Sequence, residues 1–146
     1  MGLPGAGKSR LAERWTAAGH ERLNRDSLGG TLRGVDRRLA ERLAAGATGV
    51  VLDNTYVSRA SRSDVARIAA EAGARARCVH LDVPIEEAEN NVVWRMLERY
   101  GRLLGGEELA RARKDDPQLL DPTSLRRLAR SLEVPEADEG FSSVET

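Results

Sequence analysis

Apolar residues along the chain alternate between helical spacing and short continuous runs. From residue 9 to 18, Leu11, Ala12, Trp15 and Ala18 share one helical face, and Gly19 follows where a helix closes on a left-handed glycine. Residues 20–24 form a short extended run leading into Arg25-Asp26. A second helical face, Val35, Leu39 and Leu43, covers residues 35–45 and stops at Gly46, with Arg37, Arg38, Glu41 and Arg42 largely outside it. Gly49-Val50-Val51-Leu52 is a compact apolar run closed by Asp53-Asn54, the pattern of a strand buried on both faces. Val65, Ile68, Ala69 and Ala72 mark the next helix, ended by Gly73, and residues 76–83 form a further strand halted by Pro84. Proline suits the first position of a helix, and the spacing predicts one from residue 85 towards Tyr100. After Gly105-Gly106 the signal weakens. Residues 107–114 and 123–132 read as helices separated by Asp116-Pro117 and Asp121-Pro122 turns, residues 135–140 as a polar turn, and residues 141–146 as the opening of a strand.

Strand and helix in alternation predict an α/β fold: a parallel sheet flanked by helices, joined by right-handed crossovers. Ligands of such sheets gather at the carboxyl ends of the strands, where Asp26, Asp53 and Pro84 fall. A chain of 146 residues builds one core, so a single domain over residues 1–146 is expected. An aromatic share of 3% leaves that core to Leu, Val and Ala. No apolar run is long enough to span a bilayer and no basic-apolar leader precedes residue 2, so a cytoplasmic location is expected. The formal net charge is zero, so a polyanionic partner would have to be met by a local cationic patch. Cys78, inside Cys78-Val79-His80-Leu81, reads as a small core residue; a single cysteine excludes an internal disulfide, and His20 and His80 supply no zinc-site spacing.

The chemistry is concentrated at the amino end. Gly2-Leu3-Pro4-Gly5-Ala6-Gly7-Lys8-Ser9 fits G-x-x-x-x-G-K-[ST], a loop whose small residues free main-chain N–H groups to wrap phosphates. Gly2, Pro4, Gly5, Ala6 and Gly7 would shape the cradle, Lys8 would reach the β- and γ-phosphates of ATP, and Ser9 would bind Mg²⁺. The helix that begins there directs its positive end at the same anions. Of the 23 Lys and Arg residues only Lys8 and Lys114 are lysines, and a compact ammonium fits between phosphates where a guanidinium is too broad. Asp26 can accept a proton from an attacking hydroxyl or cap the following helix, and beside the loop the base is favoured. Asp53 can hold the Mg²⁺ shell through water or make a local turn with Asn54.

Taken together, Gly2 to Ser9, then Leu23-Asn24-Arg25-Asp26, Leu52-Asp53-Asn54-Thr55, Asn90-Asn91 followed by Arg95, and Glu139-Gly140-Phe141-Ser142 resemble successive motifs of the polynucleotide 5′-hydroxyl kinase family. The likeness is to the kinase domain of polynucleotide kinase/phosphatases and to related bacterial P-loop ATPases. The resemblance implies a P-loop NTPase fold of the adenylate-kinase-like kind and transfer of the ATP γ-phosphate to 5′-hydroxyl ends of DNA or RNA, as in nucleic-acid repair. It implies Lys8 as phosphate ligand, Ser9 as magnesium ligand and Asp26 as general base. Arg25 and Arg33 are then candidates to hold the polynucleotide backbone, and Arg95, Arg99 and Arg102 to clamp ATP from a lid within residues 95–132. Arg62 also matches a recurrent family arginine and is a candidate substrate contact.

Two departures accompany this. In P-loop folds a buried strand precedes the loop, whereas Met1 directly precedes Gly2, so the expectation is a fragment truncated at both ends or a misplaced start, with further domains in a longer parent. Residues 103–132 match the family poorly, and no acidic phosphatase motif is present. A kinase of a small alcohol, such as a nucleoside or sugar, and a nucleotide-binding module without turnover are the alternatives. A guanine-specific switch is disfavoured because no Asn-Lys-x-Asp segment occurs, and a dinucleotide fold because Gly5-Ala6-Gly7 lacks the third glycine.

Overall fold

In the computed structural model, which describes residues 1–116 and 119–146, helices surround short parallel strands. The order is α1 (Lys8–Ala17), β1 (Glu21–Leu23), α2 (Arg25–Leu28), α3 (Leu32–Ala44), β2 (Val50–Leu52), α4 (Arg59–Glu71), β3 (Arg77–Val79), α5 (Ile85–Tyr100), α6 (Gly106–Asp115), α7 (Pro122–Arg130), a 3₁₀ turn (Ala137–Glu139) and β4 (Ser143–Glu145). The turn expected at Asp116-Pro117 lies partly outside the described residues.

The strands form two separate parallel pairs. β1 pairs with β2 in the register Glu21 to Val50, and β3 with β4 in the register Arg77 to Ser143. Each crossover carries helices, as parallel pairing demands. The first residues of the chain are bonded both beside β3 and to the segment that follows β2. The Met1 amine donates to Val79 O, Leu81 N donates to Met1 O at 3.0 Å, and Gly2 N donates to Thr55 O at 3.3 Å.

Helix boundaries follow local chemistry. Asn24, Thr31, Ser58 and Asp121 cap α2, α3, α4 and α7 with side-chain oxygens, and Gly101 ends α5 in the left-handed conformation. The apolar faces collect into three clusters. Leu23, Val35, Leu39, Tyr56, Val65 and Ile68 join α3 and α4 to β1. Leu3, Ala88, Val92 and Leu125 pack the amino-terminal loop against α5 and α7. Met96, Leu104, Leu109 and Leu119 hold the far end of α5 to α6. Leu119 and Leu125 are fully buried, each contributing about 1.5–3 kcal/mol of transfer free energy.

Candidate active site

The loop at residues 2–8 gets its shape from its glycines. Gly5 sits at φ 86°, and a Cβ there would lie 2.4 Å from the Ala88 carbonyl oxygen, so only glycine lets the loop lie against α5. Gly7, also at φ 86°, caps α1 in the left-handed region and leaves Lys8 and Ser9 in the first turn of that helix. Ala6 N donates to Leu3 O at 3.1 Å, and Asn91 Nδ2 of α5 donates to Gly5 O at 2.9 Å. The loop is thus a tight turn held by its own carbonyl and by one amide side chain from outside.

Lys8 Nζ donates to Leu3 O at 2.8 Å. Burial pushes its pKa down to about 8, with Asp53 opposing, Arg95 adding to the fall and Asp26 opposing again. Asp53, just after β2, Arg95 of α5 and Asp26 of α2 thus all act electrostatically on one ammonium group. A lysine held partly out of water, with its donor on a main-chain carbonyl, is ready to exchange that carbonyl for a more strongly charged acceptor.

Asp53 follows β2 and its side chain is almost wholly buried, 1% exposed. Its Oδ2 accepts from Ser9 Oγ at 2.9 Å and from the Arg22 guanidinium. The carboxylate therefore faces the loop rather than forming a local turn with Asn54. Ser9 and Asp53 present hard oxygen donors to one point, the donor set suited to Mg²⁺, which takes one or two protein oxygens and completes its shell with phosphate and water. Mg²⁺ bound there would neutralise charge on the phosphates. Among the described residues there is no cluster of three or more His, Cys, Asp or Glu side chains that could hold a metal alone.

Asp26 occupies the first turn of α2, and Asn24, not Asp26, caps that helix, its Oδ1 accepting from Ser27 N at 3.0 Å. The carboxyl of Asp26 is left to an exposed pair with Arg25 at 3.1 Å and remains 23% exposed. Two asparagines lock this turn to the one bearing Asp53. Asn24 Nδ2 donates to Asp53 O, Asn54 Oδ1 accepts from Arg25 N at 2.8 Å, and Asn54 Nδ2 donates to Leu23 O at 3.3 Å.

The remaining candidates divide. Arg95 is half-buried, close enough to Lys8 to depress its pKa, and forms no hydrogen bond or ion pair among the described residues. Arg99 pairs with Asp116 at 2.7 Å and Arg102 with Glu108, so these two link α5 and the following loop to the α6 region. Arg33 is exposed near the start of α3, which packs on α2, and Arg25 is exposed beside Asp26. Arg62 requires correction. Its side chain is 2% exposed and its donors are engaged by Glu139 at 2.6 Å twice, by Tyr56 O at 3.2 Å and by Glu133 O at 2.8 Å. It bolts α4 to the carboxyl-terminal turn and leaves no face for a substrate.

Sequence reasoning gave no role to Arg22, named Asn24 and Asn91 only within motifs, and offered Asn54 only a local turn with Asp53. Arg22 lies on β1 in register with Val51, and alternation along the strand was the available signal that it points towards the following Asp.

A loop of left-handed glycines opening a helix, with a Lys and a Ser facing a buried Asp at the end of a parallel strand, defines a P-loop nucleotide-binding protein. The chain matches the model of an AAA domain family over residues 1–135, and it belongs to that family of P-loop NTPases, which includes polynucleotide kinase-like members. No curated protein matches the chain.

Proposed function

We propose that this protein is an ATP-dependent kinase that phosphorylates the 5′-hydroxyl of a polynucleotide. The observation that carries the reading is the position of Asp26: an accessible carboxylate that acts electrostatically on the loop lysine, beside the phosphate cradle and flanked by exposed Arg25. In the reaction the 5′-oxygen bonds to the γ-phosphorus, the bond from that phosphorus to the β–γ bridging oxygen breaks, ADP leaves, and the hydroxyl proton passes to Asp26. Lys8 and Arg95 offset charge on the transferring group, and Ser9 with Asp53 would hold the metal. Arg25 and Arg33 supply separated cations for backbone phosphates, which favours a long substrate over a free nucleoside.

The test is label transfer from γ-labelled ATP to 5′-hydroxyl oligonucleotides and, in parallel, to nucleosides and sugars. The expected product is a labelled oligonucleotide. Label on small alcohols alone would assign the site to a small-molecule kinase. Tight ATP binding with no transfer to any alcohol would reduce it to a nucleotide-binding module.

A further inference from the structure

Helix α7 carries charge of one sign. Its residues include Arg126, Arg127 and Arg130 and neither Asp nor Glu. The apolar positions are committed inward: Leu125 is fully buried, and with Leu128 and Ala129 it joins Ala88 and Val92 of α5 and Leu3 of the phosphate loop in one cluster. All three arginines are exposed. Arg126 is held by Glu89 of α5 at 2.5 Å, whereas Arg127 and Arg130 form no hydrogen bond or ion pair among the described residues.

The carboxylates at the two ends of the helix are already engaged. Asp121 accepts from Ser124 N at 2.8 Å and from Ser124 Oγ at 2.6 Å, and Glu133 accepts from Arg59 N at 2.5 Å. The Ser124 donors hold the Asp121 carboxyl below its usual pKa, and Arg113, exposed in the last turn of α6, adds to that fall, which brings a further cation to the first turn of α7. Arg127 and Arg130 are separated by about 4.5 Å of helix rise, close to the interval of about 3.4 Å between phosphates along one strand of a nucleic acid.

We propose that the outer face of α7 is a second contact for the phosphodiester backbone of a nucleic-acid strand, with Arg127 and Arg130 each holding one phosphate. The inference rests on the polynucleotide reading of the site and extends it: Arg25 and Arg33 serve the reacting end, and α7 serves phosphates further along. The guanidinium fork matches phosphate oxygens in pairs. A lipid surface is disfavoured because α5 and the loop cover the apolar face of α7, leaving nothing to enter the acyl region. A strand is favoured over an acidic protein because Leu125 seats α7 on Leu3, so the cationic face is built onto the phosphate loop itself. The face also lies within residues 103–132, where the likeness to the kinase motifs is weakest, so it is a feature of this chain in its own right.

The test is binding of a 5′-phosphorylated single strand of about 12 nucleotides, without ATP, over a series of salt concentrations. The unmodified chain is compared with Arg127→Gln/Arg130→Gln, with Arg127→Lys/Arg130→Lys, and with Arg38→Gln/Arg67→Gln, which removes two exposed cations from α3 and α4. Each phosphate contact on a single strand adds about 0.7 to the slope of log affinity against log salt, so the α7 glutamine pair should lower the slope by about 1.4 and weaken binding about 25-fold at about 0.1 M salt. The lysine pair should keep the slope, and the pair on α3 and α4 should leave it unchanged. Equal slopes in the unmodified chain and the folded α7 glutamine pair overturn the proposal. So does an equal fall in the pair on α3 and α4, which would reduce the effect to net charge, and so does binding to phosphatidylserine vesicles with none to the oligonucleotide. Label transfer, measured separately on the unmodified chain, decides the kinase reading, and the slope decides the α7 contact.

Discussion

Raising the pH should weaken ATP binding through Lys8, and the size of the effect follows from its surroundings. Burial holds its pKa at about 8, so the free protein loses the ammonium well before an exposed lysine would. The bound triphosphate requires the cation, so above that pH binding must take up a proton. Between about pH 7.5 and about pH 9.5 the protonated fraction falls about 25-fold, and the dissociation constant should rise by the same factor. A terminal phosphate with a pKa of about 6 is already ionised throughout this window and does not contribute. Calorimetric titration with ATP and magnesium in buffers of differing ionisation enthalpy checks both the affinity and the proton uptake. The unliganded chain should show the opposite trend. Its Lys8 pKa lies below the unfolded value, so the unfolded state binds more protons between about 8 and 10.5 and stability rises with pH there. An affinity unchanged across the window, with the chain still folded, would falsify the placement of Lys8 against the phosphates.

Further outcomes are expected. Asp26→Asn should lower the rate of transfer by about 10²- to 10⁴-fold, the usual contribution of a general base, while ATP affinity by calorimetry changes little. Arg62→Ala leaves Glu139 buried without its cation and should cost about 3–5 kcal/mol in denaturant unfolding, whereas a substrate contact would instead have raised KM in a stable protein. Arg62 also holds the Glu139 carboxyl below its usual pKa, so its stabilisation is complete above the unfolded carboxylate value and should be lost on acidification through the lower folded one. Gly5→Ala forces a Cβ onto the Ala88 carbonyl at positive φ; backbone strain alone costs about 1–3 kcal/mol, and ATP binding should be lost before the chain unfolds.

Elements with strong local signals were legible in the chain. The stretch from Ile85 to Tyr100 is one helix as the spacing predicts, and Gly19, Gly46, Gly73 and Gly101 fall just beyond helices. The loop was legible because its function fixes residue types at fixed offsets. What escaped were long-range partners. Arg62 and Glu139 lie 77 residues apart, and an arginine inside Ala60-Ser61-Arg62 carries no local mark that it will be buried. The polar run 135–140 reads as a solvated turn, yet Glu136 and Glu139 form a reciprocal capping box there and Glu139 points into the protein. Arg99 and Arg102 share helical spacing with Arg95, and only packing against α6 shows that their partners are Asp116 and Glu108. A parallel sheet flanked by helices and lacking its first strand was expected; the parallel strands are present, as the two pairs β1-β2 and β3-β4.

The paired asparagines at the ends of β1 and β2 have a consequence for motion. Asn24 and Asn54 each bind the main chain of the opposite turn, so three hydrogen bonds join the turn carrying Asp26 to the turn carrying Asp53. These bonds should hold the spacing of Asp26 and Asp53 nearly constant on ligand binding. Adjustment to an incoming triphosphate should therefore fall to the Arg95 side chain of α5, which makes no hydrogen bond or ion pair among the described residues, rather than to a rearrangement of the two acids.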